Sequence, residues 1–177
     1  MRPADSRATV ECWRLAMENM HTPSALILSR QTIEDLPAGT PYAGIKHGAY
    51  VVTESDADYD IILLGNGSEV STLVAGARLL RQDGVKTRVV SVPSEGLFRE
   101  QTLDYQQSII PAGSKIFGLT AGLPVNLSGF LIGGSGNDFT ICHSKAMVSS
   151  DLLDFFRMTH QQAVHQTFIA HSDDGFQ

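Results

Sequence analysis

Arg30 is the residue whose type and position most directly propose a chemistry. It follows the apolar run Ala25-Leu26-Ile27-Leu28 and Ser29, and an apolar run of that length predicts a buried strand over 25–29. Carboxyl ends of strands in open α/β sheets face the ligand crevice. A guanidinium there grips phosphate oxygens with two parallel hydrogen bonds. The expected ligand is a small phosphorylated anion, and the competing assignment for Arg30 is a surface ion pair with Glu34 or Asp35.

Other constellations carry less. Gly65-Asn66-Gly67-Ser68-Glu69 lies between an apolar run and a helical one, where phosphates meet backbone N–H groups. It lacks the third glycine of a dinucleotide fingerprint and the lysine of a P-loop, and Glu69 would repel an anion. A tight turn feeding a capped helix is the expectation, with small-molecule sensing in that crevice as a weaker one. Asp56, Asp58 and Asp60 begin like a calcium loop, but Ile61 and Gly67 stand where glycine and glutamate are required. His160, His165 and His171 are five and six residues apart, not the three or four that pair ligands on a helix. Ser149, His143 and Asp151 supply hydrolase ingredients without a Gly-x-Ser-x-Gly elbow. No metal ligand or catalytic residue is assigned.

The elements that must position Arg30 can be read from periodicity. An amphipathic helix is expected over 8–19, with Val10, Trp13, Leu15 and Met17 offering apolar surface, then the strand at 25–29. Pro37, Gly39, Pro41, Gly44 and Gly48 give 37–48 a linker composition. From Ala49 the pattern alternates. Strands are expected at 50–53, 60–64, 85–92, 115–119 and 139–142. Helices are expected after Ser68, at 93–94 onward, at 103–110 and at 151–164, with Ser68 as N-cap and Gly84 closing the first of them. This alternation predicts an α/β fold in three layers, a mostly parallel sheet with helices on both faces. The division is 1–36, a helix plus a strand; 37–48, a linker; 49–160, the α/β domain; and 161–177, a polar tail.

The same blocks carry a resemblance. Arg2-Pro3-Ala4-Asp5, then Ala25 to Gln31, Gly67-Ser68-Glu69-Val70, Val89 to Glu95 with Leu97-Phe98, and Leu119-Thr120-Ala121-Gly122-Leu123-Pro124-Val125 resemble, in order, the transketolase family. They match the end of its pyrimidine-binding domain and its carboxyl-terminal domain. The resemblance implies thiamine-diphosphate-dependent transfer of a two-carbon ketol unit between sugar phosphates, in the pentose phosphate pathway, with a divalent metal. It gives Arg30 the contact to the substrate phosphate. The family's cofactor-binding, metal-binding and proton-handling motifs lie upstream of the matching segment. The expectation is therefore that this chain alone binds no cofactor and is catalytically inactive. It would meet sugar phosphate only in the full-length context, with the rest of a transketolase or itself, as a homodimer, for partner. The alternative is a non-catalytic scaffold or interaction module, with Trp13, Leu15, Leu26 and Leu28 as its sticky patch. After Gly136 the resemblance fails: Asp138 to Ala146 has no Gly-x-Ser-Ala-Pro, through divergence or a changed reading frame.

Composition bounds the rest. The chain has 177 residues, 42% hydrophobic and 18% charged, with net charge −6, and it lacks the clustered cations of nucleic-acid binding. Its two cysteines, Cys12 and Cys142, make no disulfide framework and are expected as free thiols. No run approaches the roughly 20 apolar residues of a membrane span. No signal core opens the chain, and Asn126-Leu127-Ser128 is a chance glycosylation triplet. A cytoplasmic location, without nucleic-acid or membrane partners, is expected.

Overall fold

The computed structural model describes residues 1–54, 59–122, 127 and 138–143, the last by backbone alone. Five strands form one sheet: β1 (Tyr50–Glu54), β2 (Ile61–Gly65), β3 (Thr87–Ser91), β4 (Lys115–Thr120) and β5 (Asp138–His143). Their order is β1-β3-β2-β4-β5. β1 runs antiparallel to β3, while the β3-β2, β2-β4 and β4-β5 pairs are parallel. All five expected strands of the α/β region are present, with ends differing by one or two residues.

Period-two alternation splits the core in two. Tyr50, Val52, Leu63, Val89, Phe117 and Leu119 point to one face, where α1 (Ser6–Glu18) and α2 (Glu69–Gln82) lie over them. Ile62, Leu64, Val90 and Ile116 point to the other, covered by α3 (Glu95–Arg99) and α4 (Leu103–Ile109) through Phe98 and Ile109. Burial on both faces explains why these strands read as continuous apolar runs. On α2, Val70, Leu73, Val74, Ala77 and Leu80 form the buried stripe, the helical spacing legible in the sequence. Gly84 follows the C-cap at φ +83°.

Three local expectations are corrected, and the stretch expected as a linker has a short helix within it. Ser68 does not cap α2 with its side chain; its hydroxyl donates to Glu69 Oε1 at 2.9 Å. Residues 23–29 are extended but form no strand, because strand pairing needs a neighbouring ladder; among the described residues their backbone is tied only by Ile27 N–H donating to Met1 O (2.9 Å) and the Met1 nitrogen donating to Ala25 O (2.6 Å). The glycine- and proline-rich stretch 37–48 contains a 3-10 helix, Tyr42–His47, with Ile45 buried in the core. It ends at Gly48, φ +84°, where a Cβ would lie 2.3 Å from Phe98 N and 2.4 Å from Ser94 O. Finally, α1 does not bury the large apolar side chains that mark it. Ala8 and Cys12 are buried and Leu15 half-buried, whereas Val10, Trp13 and Met17 face outward. Small residues let the helix lie close to the core, and the bulky stripe is left in solvent.

The expected helix at 151–164, the three tail histidines, the tail itself and Asp56 and Asp58 lie outside the described residues.

Candidate functional site

Arg30 stands in a bend at the end of the extended segment, exposed to solvent. It makes no hydrogen bond or ion pair with another described residue. Asp35, one of its expected partners, instead accepts from Ser6 Oγ at 2.8 Å. Beside the bend lies a shallow cleft of about 240 Å³ bordered by Pro3, Asp5, Ser6, Leu28, Ser29 and Gln31, among others. A single cation in solvent offers a phosphate one wall of a site.

The segment bearing Arg30 is positioned by two polar anchors, and sequence reading assigned neither of them a role. Asp5 is the first. It is 3% exposed and serves as N-cap of α1: Oδ1 accepts Ala8 N–H at 2.7 Å, while Oδ2 accepts Leu36 N–H at 3.0 Å and the Tyr42 hydroxyl at 2.5 Å. One carboxylate thus binds the helix start, the end of the extended segment and the 3-10 helix. Burial, followed by the Asp5 hydrogen bond, pushes the Tyr42 phenol well above its ordinary range. Close by in the same core, burial pushes the Cys12 thiol up to about 11 and raises Tyr50 as well. An Asp immediately ahead of an amphipathic run is the cap signal that would have found it.

Arg2 is the second anchor. It occupies the carboxyl ends of β2 and β4, where the chain order reverses around β2; this is the usual ligand crevice of such sheets. Its Nη1 donates to Asn66 Oδ1 at 3.0 Å and to Thr120 Oγ1 at 3.3 Å, and Thr120 Oγ1 donates to Asn66 Oδ1 at 3.0 Å. Its Nη2 lies 3.9 Å from Glu69 Oε2. The backbone is held too: Arg2 N–H donates to Pro93 O at 2.7 Å, and Gly67 N–H donates to Arg2 O at 3.2 Å. Asn66, Glu69 and Thr120 are all buried. The glycine turn expected to feed a helix does so, with Gly67 at φ +63°, and an arginine of the chain itself fills the crevice above it.

Thiamine diphosphate with a divalent cation needs several oxygen or nitrogen ligands for the metal and a ring of donors for the diphosphate. Among the described residues no three His, Cys, Asp or Glu side chains gather to hold a metal. The turn closest in shape to a diphosphate cradle is taken by Arg2 and carries the buried Glu69 carboxylate. These residues do not fit the cofactor. Among the described residues, too, no helix is long and apolar enough to cross a membrane.

Comparison with known proteins accounts for the architecture. Residues 48–143 match the family model described as a transketolase-like carboxyl-terminal domain. A probable transketolase from Streptococcus pneumoniae is 46% identical over 112 residues, covering 62% of this chain and 17% of the relative. Transketolase from Halalkalibacterium halodurans is 32% identical over 172 residues, 93% of this chain and 25% of that protein. Among solved structures, transketolase from Leishmania mexicana superposes with a TM-score of 0.69 at 29% identity, covering 92% of this chain and 23% of that one. The chain thus spans a quarter or less of the length of these relatives. The parallel sheet with its antiparallel margin, the doubled core and the matched residues together establish that this chain belongs to the transketolase family and carries that family's carboxyl-terminal domain.

Proposed function

We propose that this chain acts as the carboxyl-terminal part of a thiamine-diphosphate-dependent enzyme that transfers a two-carbon ketol unit between sugar phosphates, in the cytoplasm and the pentose phosphate pathway. Residues 49–160 are its carboxyl-terminal domain and 161–177 a polar tail. Residues 1–36 are the end of the pyrimidine-binding domain, joined through 37–48. The family match supports this reading, and the observation that carries it is Arg30. That guanidinium is exposed beside a cleft, at the position the family uses for the substrate phosphate, and no described carboxylate competes for it. Cofactor and metal belong to the rest of a transketolase, or to a second copy that completes the site.

The 177 residues alone are inactive in this reading. Purified chain given thiamine diphosphate, Mg²⁺, xylulose 5-phosphate and an aldose phosphate is expected to show no turnover. Isothermal titration is expected to show sugar-phosphate binding no tighter than about millimolar, some −4 kcal/mol. A polypeptide bearing the family's upstream portion should restore turnover, and Arg30→Ala should then remove most of it by raising KM. Turnover by the chain unaided, or micromolar binding abolished by Arg30→Ala, would refute the reading.

One observation favours the alternative of an interaction module. Val10, Trp13, Met17, Met20, Ile27 and Leu28 are all more than half exposed, a sticky surface for a monomer. Of the four residues expected in that patch, Trp13 and Leu28 are exposed while Leu15 and Leu26 pack against the core. Concentration-dependent association in sedimentation, relieved by deleting residues 1–36, distinguishes this alternative; monomeric behaviour at high concentration counts against it.

A further inference from the structure

We propose that Arg2 is a positioning residue, a latch that sets the place of the phosphate-binding segment from the carboxyl ends of three neighbouring strands. This rests on the reading of Arg30 given above and deepens it. Residue 2 touches the loop after β3 through Pro93 O, the loop after β2 through Gly67 N–H and Asn66 Oδ1, and the end of β4 through Thr120 Oγ1. Those strands are adjacent in the sheet, so one side chain and its peptide groups span its centre. Residue 1 then passes the constraint on. Its carbonyl accepts Ile27 N–H and its nitrogen donates to Ala25 O, and these are the only hydrogen bonds holding 25–27 among the described residues. Arg30 follows three residues later. The route from sheet to phosphate contact is therefore Thr120 and Asn66, Arg2, Met1, Ile27, Arg30.

The chemistry of the latch is specific to a guanidinium. Nη1 bridges two buried oxygens while Nη2 faces the Glu69 carboxylate, a planar fork that a lysine ammonium does not reproduce. Because the guanidinium occupies the crevice where sheets of this kind bind ligands, that crevice serves as the receptor for the chain's own segment and is closed to small molecules.

The test follows amide hydrogen exchange in the 177-residue chain with Arg2→Ala, Arg2→Lys and Thr120→Val. In both Arg2 variants the Ile27 and Gly67 amides are expected to exchange about tenfold faster, while Leu63 and Leu64 amides in the β2 ladder change less than about twofold. Thr120→Val, which removes one acceptor of the guanidinium and also frees the Gly122 amide that donates to Thr120 Oγ1 at 3.0 Å, gives a smaller increase at the same two amides, with Gly122 itself exchanging faster. Methylguanidinium at millimolar concentration is expected to restore Ile27 protection in Arg2→Ala, and methylammonium to leave it unchanged. Acceleration of all amides together would make Arg2 a general stabiliser and overturn the latch; so would unchanged Ile27 exchange in Arg2→Lys. If Arg2→Ala fails to fold, Arg2→Lys and Thr120→Val decide the matter by the same amides. None of these readouts needs turnover. Failure of ketol transfer would leave the latch standing, and uniform exchange would remove the latch while leaving ketol transfer untouched.

Discussion

Residues 1–36 and the α/β region from Ala49 onward rest on the same sheet but are held by different forces. In the second region, apolar side chains from β1, β2, β3 and β4 enter two cores, and Leu63, Leu64, Val89, Val90 and Leu119 are wholly buried. In the first, the buried apolar residues are few, Pro3, Ala4, Ala8, Cys12 and Leu36. The remainder is fastened by Asp5 and Arg2, each of which bonds elements distant in sequence. The lesson is that apolar burial builds the domain, whereas a few directional polar contacts decide where its amino-terminal segment lies. Polar contacts are individually weaker but fix geometry.

The contrast can be broken by mutation. Phe98→Ala removes the ring through which α3 enters the second core, and should cost about 3–5 kcal/mol in urea unfolding; a loss below about 1 kcal/mol would mean that the second core is not what holds the domain. Gly48→Ala should cost about 3 kcal/mol, from a left-handed backbone and a Cβ driven into the α3 backbone. A stable Gly48→Ala chain would show that the approach of the 3-10 helix to α3 is adjustable. Asp5→Ala strands the Leu36 amide and the Tyr42 hydroxyl and uncaps α1. It should cost about 1–3 kcal/mol, with exchange rising first in 6–18 and 33–42; uniform exchange would erase the distinction between the regions.

A smaller effect sharpens the comparison through pH. Cys12, Tyr42 and Tyr50, all on the face beneath the amino-terminal segment, have their pKa values raised by burial. The folded chain keeps these protons after the unfolded chain begins to lose them. Their contribution is complete below about pH 9, and stability falls as the pH rises from there through 11. Cys12→Ala and Tyr42→Phe should each flatten that alkaline limb in a series of denaturation midpoints; a limb unchanged in both would place its origin elsewhere. The smallest effect is expected of Trp13→Ser, within about 0.5 kcal/mol by urea unfolding, because the ring lies on the outer side of α1. A larger loss would mean that the outward stripe is covered in solution.

Legibility in the sequence divides along the same line. Strands such as Ile61–Gly65 and Lys115–Thr120 were readable because burial on both faces leaves uninterrupted apolar runs, and α2 because its stripe keeps helical spacing up to Gly84. Residues 25–29 have an equally apolar run, yet a strand exists only where a neighbour accepts its hydrogen bonds. The 3-10 helix at Tyr42–His47 was hidden by glycine and proline, whose role there is close packing rather than looseness. Arg30 drew attention by following an apolar run. Arg2 had no such mark, because its partners lie 64 and 118 residues away and no local pattern records them.

The outer margin of the sheet has a consequence of its own. Between Val51 and Thr53 the pairing of β1 with β3 slips, so a sixth strand laid along β1 from another molecule would fall out of step within a few residues. Charged Glu54, tied to Arg88 at 2.8 Å, closes the far end of that border. Such irregular borders resist edgewise polymerisation. This margin therefore discourages fibrous stacking in a chain that leaves Val10, Trp13 and Met17 of α1 bare to solvent.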